Sequence, residues 1–413
     1  MGTVADNQHD VIIVGGGIVG ATAACALVRS GLQVALVEAR APLPIEASMP
    51  DPRVFAITRA SERIFRWLGV WDAIAPQHAC AFTDMEVWDA GGQGRTHFDS
   101  AEMGEPCLGH IIEPRFIRAA LWQQLRRTDT VALQCPARAA AITPGVDQVQ
   151  VALEGGEVLN ARLVIAADGV NSPVRTLLGM ETHGHDYQQS SLVALVKTAA
   201  PHRQTAWQRF LPGGPLAFLP MQEGWCSIVW TMPTADIERL LNCDRDTFHH
   251  ALANAFDHHL GEILDSGERQ AWPLRRLHAE RYVRERVALI GDAAHAIHPL
   301  AGQGVNLGLL DAAALAEVIE AASRKGRDPG GLPVLRRYER WRRGDNLMMM
   351  MAMDGINQVF SNARAPLSQL RNAGLSLANR SGMIRRPFMR HAMGLGGDLP
   401  AIATEGEEVS TSI

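Results

Sequence analysis

Short apolar runs recur along the chain, separated by longer stretches in which apolar and polar residues alternate. The runs at 10–14, 33–38, 162–167 and 286–290 are typical of strands buried on both faces of a parallel sheet. The alanine-rich stretch Ala21–Ser30 follows the first run, ends at Gly31 and predicts a helix. The first strand, this helix and the second strand therefore form a βαβ unit, whose two strands should lie parallel with a right-handed crossover.

The alternating stretches predict antiparallel strands. They cover 137–153, 192–198 and 216–232, and a hairpin is predicted at 86–98 around Gly91-Gly92. Helical periodicity appears at 58–68, at 114–127 and from Gly308 to about residue 395. The pattern predicts an α/β fold: a discontinuous Rossmann-like domain over 1–180 and 275–330, an inserted β-rich substrate domain over 181–274, and a C-terminal helical region over 331–413.

The uncharged stretch 11–28 has the length of a membrane span, but three glycines at 15–17 interrupt it and its periodicity changes there. It predicts a strand, a turn and a helix, and with it a soluble or peripheral cytoplasmic protein. The 39 Lys and Arg against 44 Asp and Glu give a formal charge of −5, which argues against a nucleic-acid partner. None of the 6 cysteines forms a CxxC pair, which argues against zinc ribbons and disulfide scaffolds.

The first motif with chemical content is a GxGxxG at Gly15, Gly17 and Gly20, placed directly between a strand and a helix. The first glycine permits the tight turn, the second lets the backbone approach a pyrophosphate, and the third lets helix and strand pack closely. Glu38 ends the second strand and can accept hydrogen bonds from a ribose diol. The motif predicts dinucleotide binding and does not separate NAD from FAD.

Two further segments follow predicted strands. Asp168-Gly169 alone indicates only a turn. The segment 289–308 is denser: Asp292 can bind a ribityl or ribose hydroxyl, and Gly302, Gln303 and Gly304 place free N–H groups at a helix N-terminus. His295 and His298 form an HxxH pair without an evident third ligand, so loop packing, or a proton relay at His298, is favoured and no metal is predicted.

The order of these motifs resembles the single-component FAD-dependent aromatic hydroxylases. Within them, GDAAHAIHPLAGQGVNLG at 291–308 is similar to the ubiquinone-biosynthesis hydroxylases, and the resemblance extends over nearly the whole chain. It includes segments 51–54, 85–89, 108–113, 216–220 and 226–230. Segments 392–395 and 398–400 resemble 2-polyprenylphenol hydroxylases, whereas Asp345-Asn346 and 360–362 resemble hydroxylases of a later demethoxy intermediate.

The resemblance implies a para-hydroxybenzoate-hydroxylase-like fold and a role for each matching residue. The ADP half of FAD would lie on the GxGxxG motif and Glu38, and its ribityl and phosphate side near Arg53, Arg118 and Asp292. The residues implied to bind FAD are Gly15, Gly17, Gly20, Glu38, Arg53, Arg118, Asp168, Gly169, Gly291, Asp292, Pro299, Gly302, Gly304, Val305 and Asn306. The residues implied to form the catalytic environment of the flavin ring, without an evident acid or base, are Pro299, Gly302, Gln303 and Gly304.

The resemblance also implies a reaction. NAD(P)H, a transient co-substrate, reduces FAD, O2 forms a flavin 4a-hydroperoxide, and the ring of a polyprenylphenol in ubiquinone biosynthesis is hydroxylated. C-5 hydroxylation of 2-polyprenylphenol is the favoured assignment. The alternatives are hydroxylation of a later demethoxy-quinol, a prenyl-chain reductase or halogenase on the same scaffold, and a non-catalytic flavoprotein scaffold or lipid carrier.

Several features could serve a lipid substrate or a partner. The methionine-rich stretch 347–353 could hold a prenyl tail, although a core position is favoured. Basic and apolar residues at 380–390 could touch lipid headgroups or simply pack against the protein. Peripheral contact at the inner membrane face, a ubiquinone-biosynthesis assembly and a homo-oligomer are all left open.

Overall fold

The structure is a computed structural model, and it describes residues 7–42, 45, 51–92, 94–297, 302–361, 386 and 389–404. Within these ranges, three sheets are flanked by helices. None of the described helices is long and apolar enough to cross a membrane.

The strands and helices are numbered in chain order. The strands are β1 (Gln8–Val14), β2 (Val34–Val37), β3 (Phe55–Thr58), β4 (Ala79–Phe82), β5 (Asp84–Asp89), β6 (Arg95–Asp99), β7 (Gly109–Ile112), β8 (Val131–Gln134), β9 (Ala139–Pro144), β10 (Val149–Leu153), β11 (Val158–Ala166), β12 (Thr182–Thr198), β13 (Thr205–Leu211), β14 (Gly214–Pro220), β15 (Trp225–Pro233), β16 (Ile263–Ser266), β17 (Gln270–Ala279), β18 (Val283–Arg284), β19 (Val287–Leu289) and β20 (His295–Ala296). The α-helices are α1 (Ile18–Arg29), α2 (Arg59–Trp67), α3 (Trp71–His78), α4 (Pro114–Arg126), α5 (Pro173–Leu177), α6 (Thr234–Asn242), α7 (Arg245–Ala255), α8 (Gln303–Arg324) and α9 (Leu332–Ser361).

The four apolar runs all enter one sheet, as predicted. Its parallel part has the order β19-β11-β1-β2-β8, and β18, β9 and β10 extend it by antiparallel pairs. Helix α1 begins at Ile18, three residues before the predicted start, because the turn ends at Gly17. Helices α1 and α8 pack on each other and share the largest apolar core with this sheet.

The second sheet is almost wholly antiparallel, with the order β20-β17-β12-β15-β14-β13-β5-β6 and β16 beside β12. The strands of this sheet are not confined to the predicted substrate-domain range 181–274. The predicted hairpin forms β5 and β6, but β5 pairs in parallel with β13, so a segment within 1–180 completes this sheet. Strand β17 also runs past residue 274, and β20 joins its edge. The domain boundaries themselves stay a prediction.

The third sheet is small and antiparallel, with the order β3-β7-β4, and the sequence analysis did not predict it. Its strands lie between β2 and β8 in the sequence. Its strands are only four residues long, too short for a period to stand out. Strand β3 runs directly into α2, where the Thr58 side chain accepts a hydrogen bond from the Ser61 N–H and caps the helix.

The predicted C-terminal helices are α8 and α9. Met349, Met350 and Met353 are buried against apolar residues of the second sheet, which fits the favoured core position. Met348 and Met351 are exposed on the other face of α9. Most of the basic segment 380–390, including Arg380 and Arg385, lies outside the described residues.

Candidate active site

The carboxyl ends of the parallel strands bring the predicted motifs together. Gly15 follows β1, Glu38 follows β2, Asp168 follows β11, and Asp292 follows β19. All four residues line one cavity of about 1250 Å³. Ligands of open α/β sheets bind at this end of the strands, so the topology itself places a binding site here.

The three glycines of the turn differ in their surroundings. Gly15 and Gly20 pack closely against backbone atoms, whereas Gly17 borders open space. A Cβ on Gly15 would lie 2.3 Å from the Ala167 carbonyl oxygen, and one on Gly20 would lie 1.9 Å from the Gly15 oxygen. A Cβ on Gly17 would meet nothing within 4 Å. Gly17 is also the N-cap of α1 and lines the cavity. The N–H groups at the start of α1 therefore face open space, as a pyrophosphate site requires.

Glu38 is held in place by the turn that it borders. Its Oε2 accepts a 2.6 Å hydrogen bond from the Gly16 N–H, and its Oε1 accepts one of 2.9 Å from the Arg40 N–H. Arg118 of α4 donates to the Gly16 carbonyl at 3.1 Å and lies 3.4 Å from the Glu38 carboxylate. Arg118 thus positions the turn and the acid together, with its surface on the cavity.

The two aspartates on the cavity are incompletely paired. Asp168 Oδ2 accepts a 2.9 Å hydrogen bond from the Val174 N–H, but its buried Oδ1 has no partner in the described part of the chain. Burial raises the pKa of Asp168 despite its bonds to Ser172 and Val174. Asp292 opens onto the cavity, where desolvation by the surrounding protein raises its pKa against the opposing charges of His295 and Arg53. A ligand that donates hydrogen bonds would stabilise the charged form of both carboxylates.

The N-terminus of α8 forms a third part of the wall. Gly302 is its N-cap, with a left-handed φ of 61°, and no side chain caps the helix there. Gly302, Gln303, Gly304 and Val305 line the cavity. Gln303 donates a 3.0 Å hydrogen bond to the Ala392 carbonyl and so connects this helix end to the C-terminal segment. Free N–H groups at the end of a 22-residue helix favour an anion.

Some predicted residues lie elsewhere. Gly20, Gly291 and Asn306 are not in the described cavity wall. The buried Asn306 amide instead donates to the Ala56 carbonyl at 2.8 Å and accepts from the Thr58 N–H at 3.0 Å, which joins α8 to β3. Arg53 does line the cavity, with its guanidinium 5.0 Å from the centre of the Trp272 ring. Pro299 and His298 lie outside the described residues.

The sequence predicted a β-rich substrate domain but none of the individual residues of the opposite wall, which the antiparallel sheet provides. Its inward side chains come from β12 to β15 and are mostly apolar. Ser191, Gln208 and Thr231 are the polar exceptions, and the Ser191 and Thr231 hydroxyls bond each other at 2.9 Å. The alternation of buried and less buried positions along β13 is the sequence signal for this wall. It places Gln208 on the same side of the strand as Ala206 and Phe210.

A buried ionic cluster supports the turn that carries Asp292. Asp311 of α8 accepts hydrogen bonds from the Gly291 N–H and contacts His295 at 2.5 Å. Its other oxygen binds Arg342 and Asn346 of α9 at 3.0 and 2.9 Å. His295 therefore has a packing partner, in agreement with the favoured interpretation of the HxxH pair.

One group of metal-binding side chain types occurs in the described part of the chain. Ligand atoms of Glu62, Cys107 and His110 lie within 4.8 Å of one another. Arg59 and Arg66 already form ion pairs with Glu62, so its charge is compensated by protein cations. We assign no metal to it, and the expectation that the chain holds none stays a prediction.

The cavity fits a dinucleotide by its own features. The unpartnered Asp168 oxygen, the open space at Gly17 and the free N–H groups at the start of α1 are groups that such a ligand would satisfy. The volume also exceeds the usual range of about 300–1,000 Å³ for pockets of single small ligands. A dinucleotide and a second molecule can therefore occupy it together.

Comparison with known proteins identifies the family to which the chain belongs. Residues 8–345 match the model of the FAD binding domain family. The 3-demethoxyubiquinol 3-hydroxylase of Escherichia coli is 40% identical over 395 residues, which cover 95% of this chain and 100% of that protein. The ubiquinone hydroxylase UbiL of Rhodospirillum rubrum is 39% identical over 96% of this chain and 93% of its own.

Among solved structures, p-nitrophenol 4-monooxygenase PnpA from Pseudomonas putida superposes with a TM-score of 0.78 at 21% identity, over 95% of this chain and 99% of that one. At this identity the similarity shows the fold alone, and it confirms the predicted α/β architecture. The predicted enzyme class and cofactor are confirmed as well. The chain therefore belongs to the FAD-dependent monooxygenases of the FAD binding domain family, the group that contains the ubiquinone-biosynthesis hydroxylases.

Proposed function

We propose that this protein hydroxylates the aromatic ring of a prenylated phenol or quinol in ubiquinone biosynthesis, with NAD(P)H and O2 as co-substrates. The observation that supports it is the continuity of the cavity. One space borders both the glycine turn at Gly15 and Gly17 and the apolar inner face of the antiparallel sheet. A ring on that face would share the cavity with a flavin.

Bound FAD supplies the redox chemistry and the activation of O2. In our proposal, Gly15, Gly17, Glu38 and Arg118 hold its ADP half, and Asp168, Gly169, Asp292 and Arg53 its ribityl and phosphate region. The N–H groups of Gly302 to Val305 would stabilise negative charge on the ring system. The apolar wall excludes water from the reacting groups.

The ring position is the finer part of the proposal. The similarity to the Escherichia coli 3-demethoxyubiquinol 3-hydroxylase over its full length favours a later demethoxy position. The C-5 position of 2-polyprenylphenol is the second candidate, favoured by the C-terminal segment at 392–400. A peripheral membrane contact or a biosynthetic assembly would bring such a substrate to the cavity, and both belong to the proposal.

The test is anaerobic reduction of the bound flavin by NADPH, measured without a ligand and with short-tail 2-prenylphenol or short-tail demethoxyubiquinol. We expect fast loss of flavin absorbance only when the ligand is present. Aerobic reactions with 2-prenylphenol and with a short-tail demethoxyubiquinol are then compared by mass spectrometry. Hydroxylated demethoxyubiquinol supports the first ring position, and hydroxylated 2-prenylphenol supports the second. Reduction with no product from either compound would contradict the proposed substrate class.

A further inference from the structure

A single carboxamide stands in the apolar wall of the cavity. Gln208 lies on β13, opposite Val87 of β5 on one side and Ala217 of β14 on the other. The next inward positions across the sheet are Val229 and Val193. Gln208 thus occupies the polar position in a row of otherwise aliphatic side chains that crosses five neighbouring strands.

This carboxamide is buried and has no partner of its own. The residue Gln208 is only 7% exposed and lines the cavity, and its side chain makes no hydrogen bond with the described part of the chain. The hydroxyls of Ser191 and Thr231, the other polar groups of this wall, bond each other at 2.9 Å. Because buried amides are almost always hydrogen-bonded, a ligand group is the expected partner of Gln208.

The space beside Gln208 is apolar and deformable. Ala206, one inward position away on β13, belongs to a cluster whose members Phe82, Leu108, Met389 and Met393 also line the cavity. Methionine side chains adapt their shape readily and suit a flexible hydrocarbon chain. An aliphatic tail therefore fits next to the carboxamide.

The positions of the cationic side chains also restrict which substituents a bound aromatic ring can carry. The cationic side chains in its described wall are Arg53, Arg115 and Arg118, and none lies on the antiparallel sheet. Arg115 and Arg118 are already paired with Glu113 and Glu38. A ring carboxylate near Gln208 would lack a counter-ion, whereas a hydroxyl or methoxy group would not need one.

We propose that Gln208 positions the substrate by hydrogen bonding to a ring oxygen, while the methionine-containing cluster takes its alkyl tail. This assignment rests on the proposed function, and it narrows the substrate to an uncharged, oxygenated ring with an apolar chain. The Oε1 atom can accept from a ring hydroxyl, and the Nε2 group can donate to a ring oxygen. The amide does not ionise, so Gln208 orients the ring and does not take its proton.

The test compares two probes on oxidised, FAD-loaded enzyme: short-tail 2-prenylphenol and the matched prenylbenzene, which lacks the hydroxyl. Binding is followed by the change in flavin absorbance. We expect wild type to bind the phenol about tenfold more tightly than prenylbenzene, the range for one buried hydrogen bond. Gln208→Leu should bind both probes equally, and Gln208→Asn, whose shorter amide does not reach the same point, should lose most of the preference.

Gln150→Leu is the matched control, because Gln150 is an exposed strand glutamine of the other sheet. It should keep the wild-type preference, and all variants should keep their FAD content. A Gln208→Leu enzyme that still prefers the phenol tenfold would overturn the assignment. Wild type that binds the phenol with this preference but hydroxylates neither 2-prenylphenol nor short-tail demethoxyubiquinol would contradict the proposed function and leave the role of Gln208 supported. Wild type that binds neither probe would overturn both.

Discussion

At the scale of single residues, glycines in the same motif have opposite tasks. Gly15 and Gly20 are required by the fold, because a Cβ on either would collide with backbone oxygens. Gly17 is surrounded by open space, so its lack of a side chain serves the ligand. We therefore expect Gly15 and Gly20 to be required for folding and Gly17 to be required for cofactor binding.

Gly17→Ala should weaken FAD binding about tenfold while leaving the apoprotein as stable as wild type, because the new methyl group enters the space of the pyrophosphate. Titration of apoprotein with FAD and chemical unfolding measure the two quantities. Gly155→Ala is the control, since Gly155 also has nothing within 4 Å but lies outside the cavity. Equal FAD affinity in Gly17→Ala and wild type would contradict this role.

His110 and Glu62 form a buried pair, and the pKa of each differs from its ordinary value. Burial opposes the charge of His110, but Cys107 and Glu62 raise its pKa from 6.5 to about 9. Burial likewise opposes the charge of Glu62, but His110, Arg59 and Arg66 lower its pKa from 4.5 to about 2. The stabilisation from His110 is complete below pH 6.5 and is lost as the pH rises through 9, whereas that from Glu62 is complete above pH 4.5 and is lost as the pH falls towards 2.

The free energy of unfolding should therefore fall between pH 6.5 and 9, by on the order of 3 kcal/mol from the titration of His110. Urea unfolding at several pH values measures it. His110→Gln should remove that part of the slope, while His183→Gln, at a largely exposed histidine paired with Glu280, should keep it. The same slope in His110→Gln as in wild type would show that the pair does not set it.

At the scale of elements, α8 connects the cofactor site to the rest of the chain. Its N-terminus lines the cavity, and Asp311 in its middle binds the turn at Gly291 and His295. The same carboxylate holds Arg342 of α9. The turn that presents Asp292 is therefore fixed against two helices through one buried carboxylate.

Asp311→Ala should lower the free energy of unfolding by about 3–5 kcal/mol, because it removes the buried counter-ion of Arg342 and leaves only the partly exposed Asp345 beside it. Glu320→Ala removes an exposed ion pair with Arg324 on the same helix and should cost less than about 1 kcal/mol. Denaturant unfolding compares the two. Similar small losses in both variants would contradict the importance of the cluster.

Elements also show how far the sequence could predict the structure. Four of the five parallel strands were predictable because a strand buried on both faces is a continuous apolar run, as at Val11–Val14. The edge strand β8 is only half-buried and was not predicted. The pairing of β5 with β13 was not predictable, since it joins segments more than a hundred residues apart and local alternation does not name a partner. Gln208 was missed for the same reason: its side of β13 acquires meaning only when the opposite wall of the cavity is known.

At the scale of the whole molecule, the cavity is assembled from distant parts of the chain. Its walls include the turn after β1, the segment around Arg53, strands β12 to β15, the start of α8 and residues 389–393. In our proposal FAD contacts the glycine turn, the segment around Arg53 and the start of α8, which are distant in the sequence. Cofactor binding should consequently stabilise the folded chain as a unit.

Removal of FAD should lower the free energy of unfolding by about 2.7 kcal/mol relative to protein with free FAD at 100 times its Kd. Denaturant unfolding of the apoprotein and of the FAD-loaded protein measures this difference. Gly17→Ala at the same FAD concentration should show a smaller gain. Identical unfolding curves with and without FAD would contradict binding at the native state.

The two walls of the cavity also set how this family can diversify. The glycine turn and Asp292 line one wall of the cavity, while inward positions of β12 to β15 line the other, where we propose that the ring binds. Substitutions on the second wall can change the ring that is accepted without disturbing the glycine turn or Asp292. We therefore expect substitutions at Ser191, Gln208, Ala217 and Thr231, which line that wall, to change ring preference without loss of FAD binding.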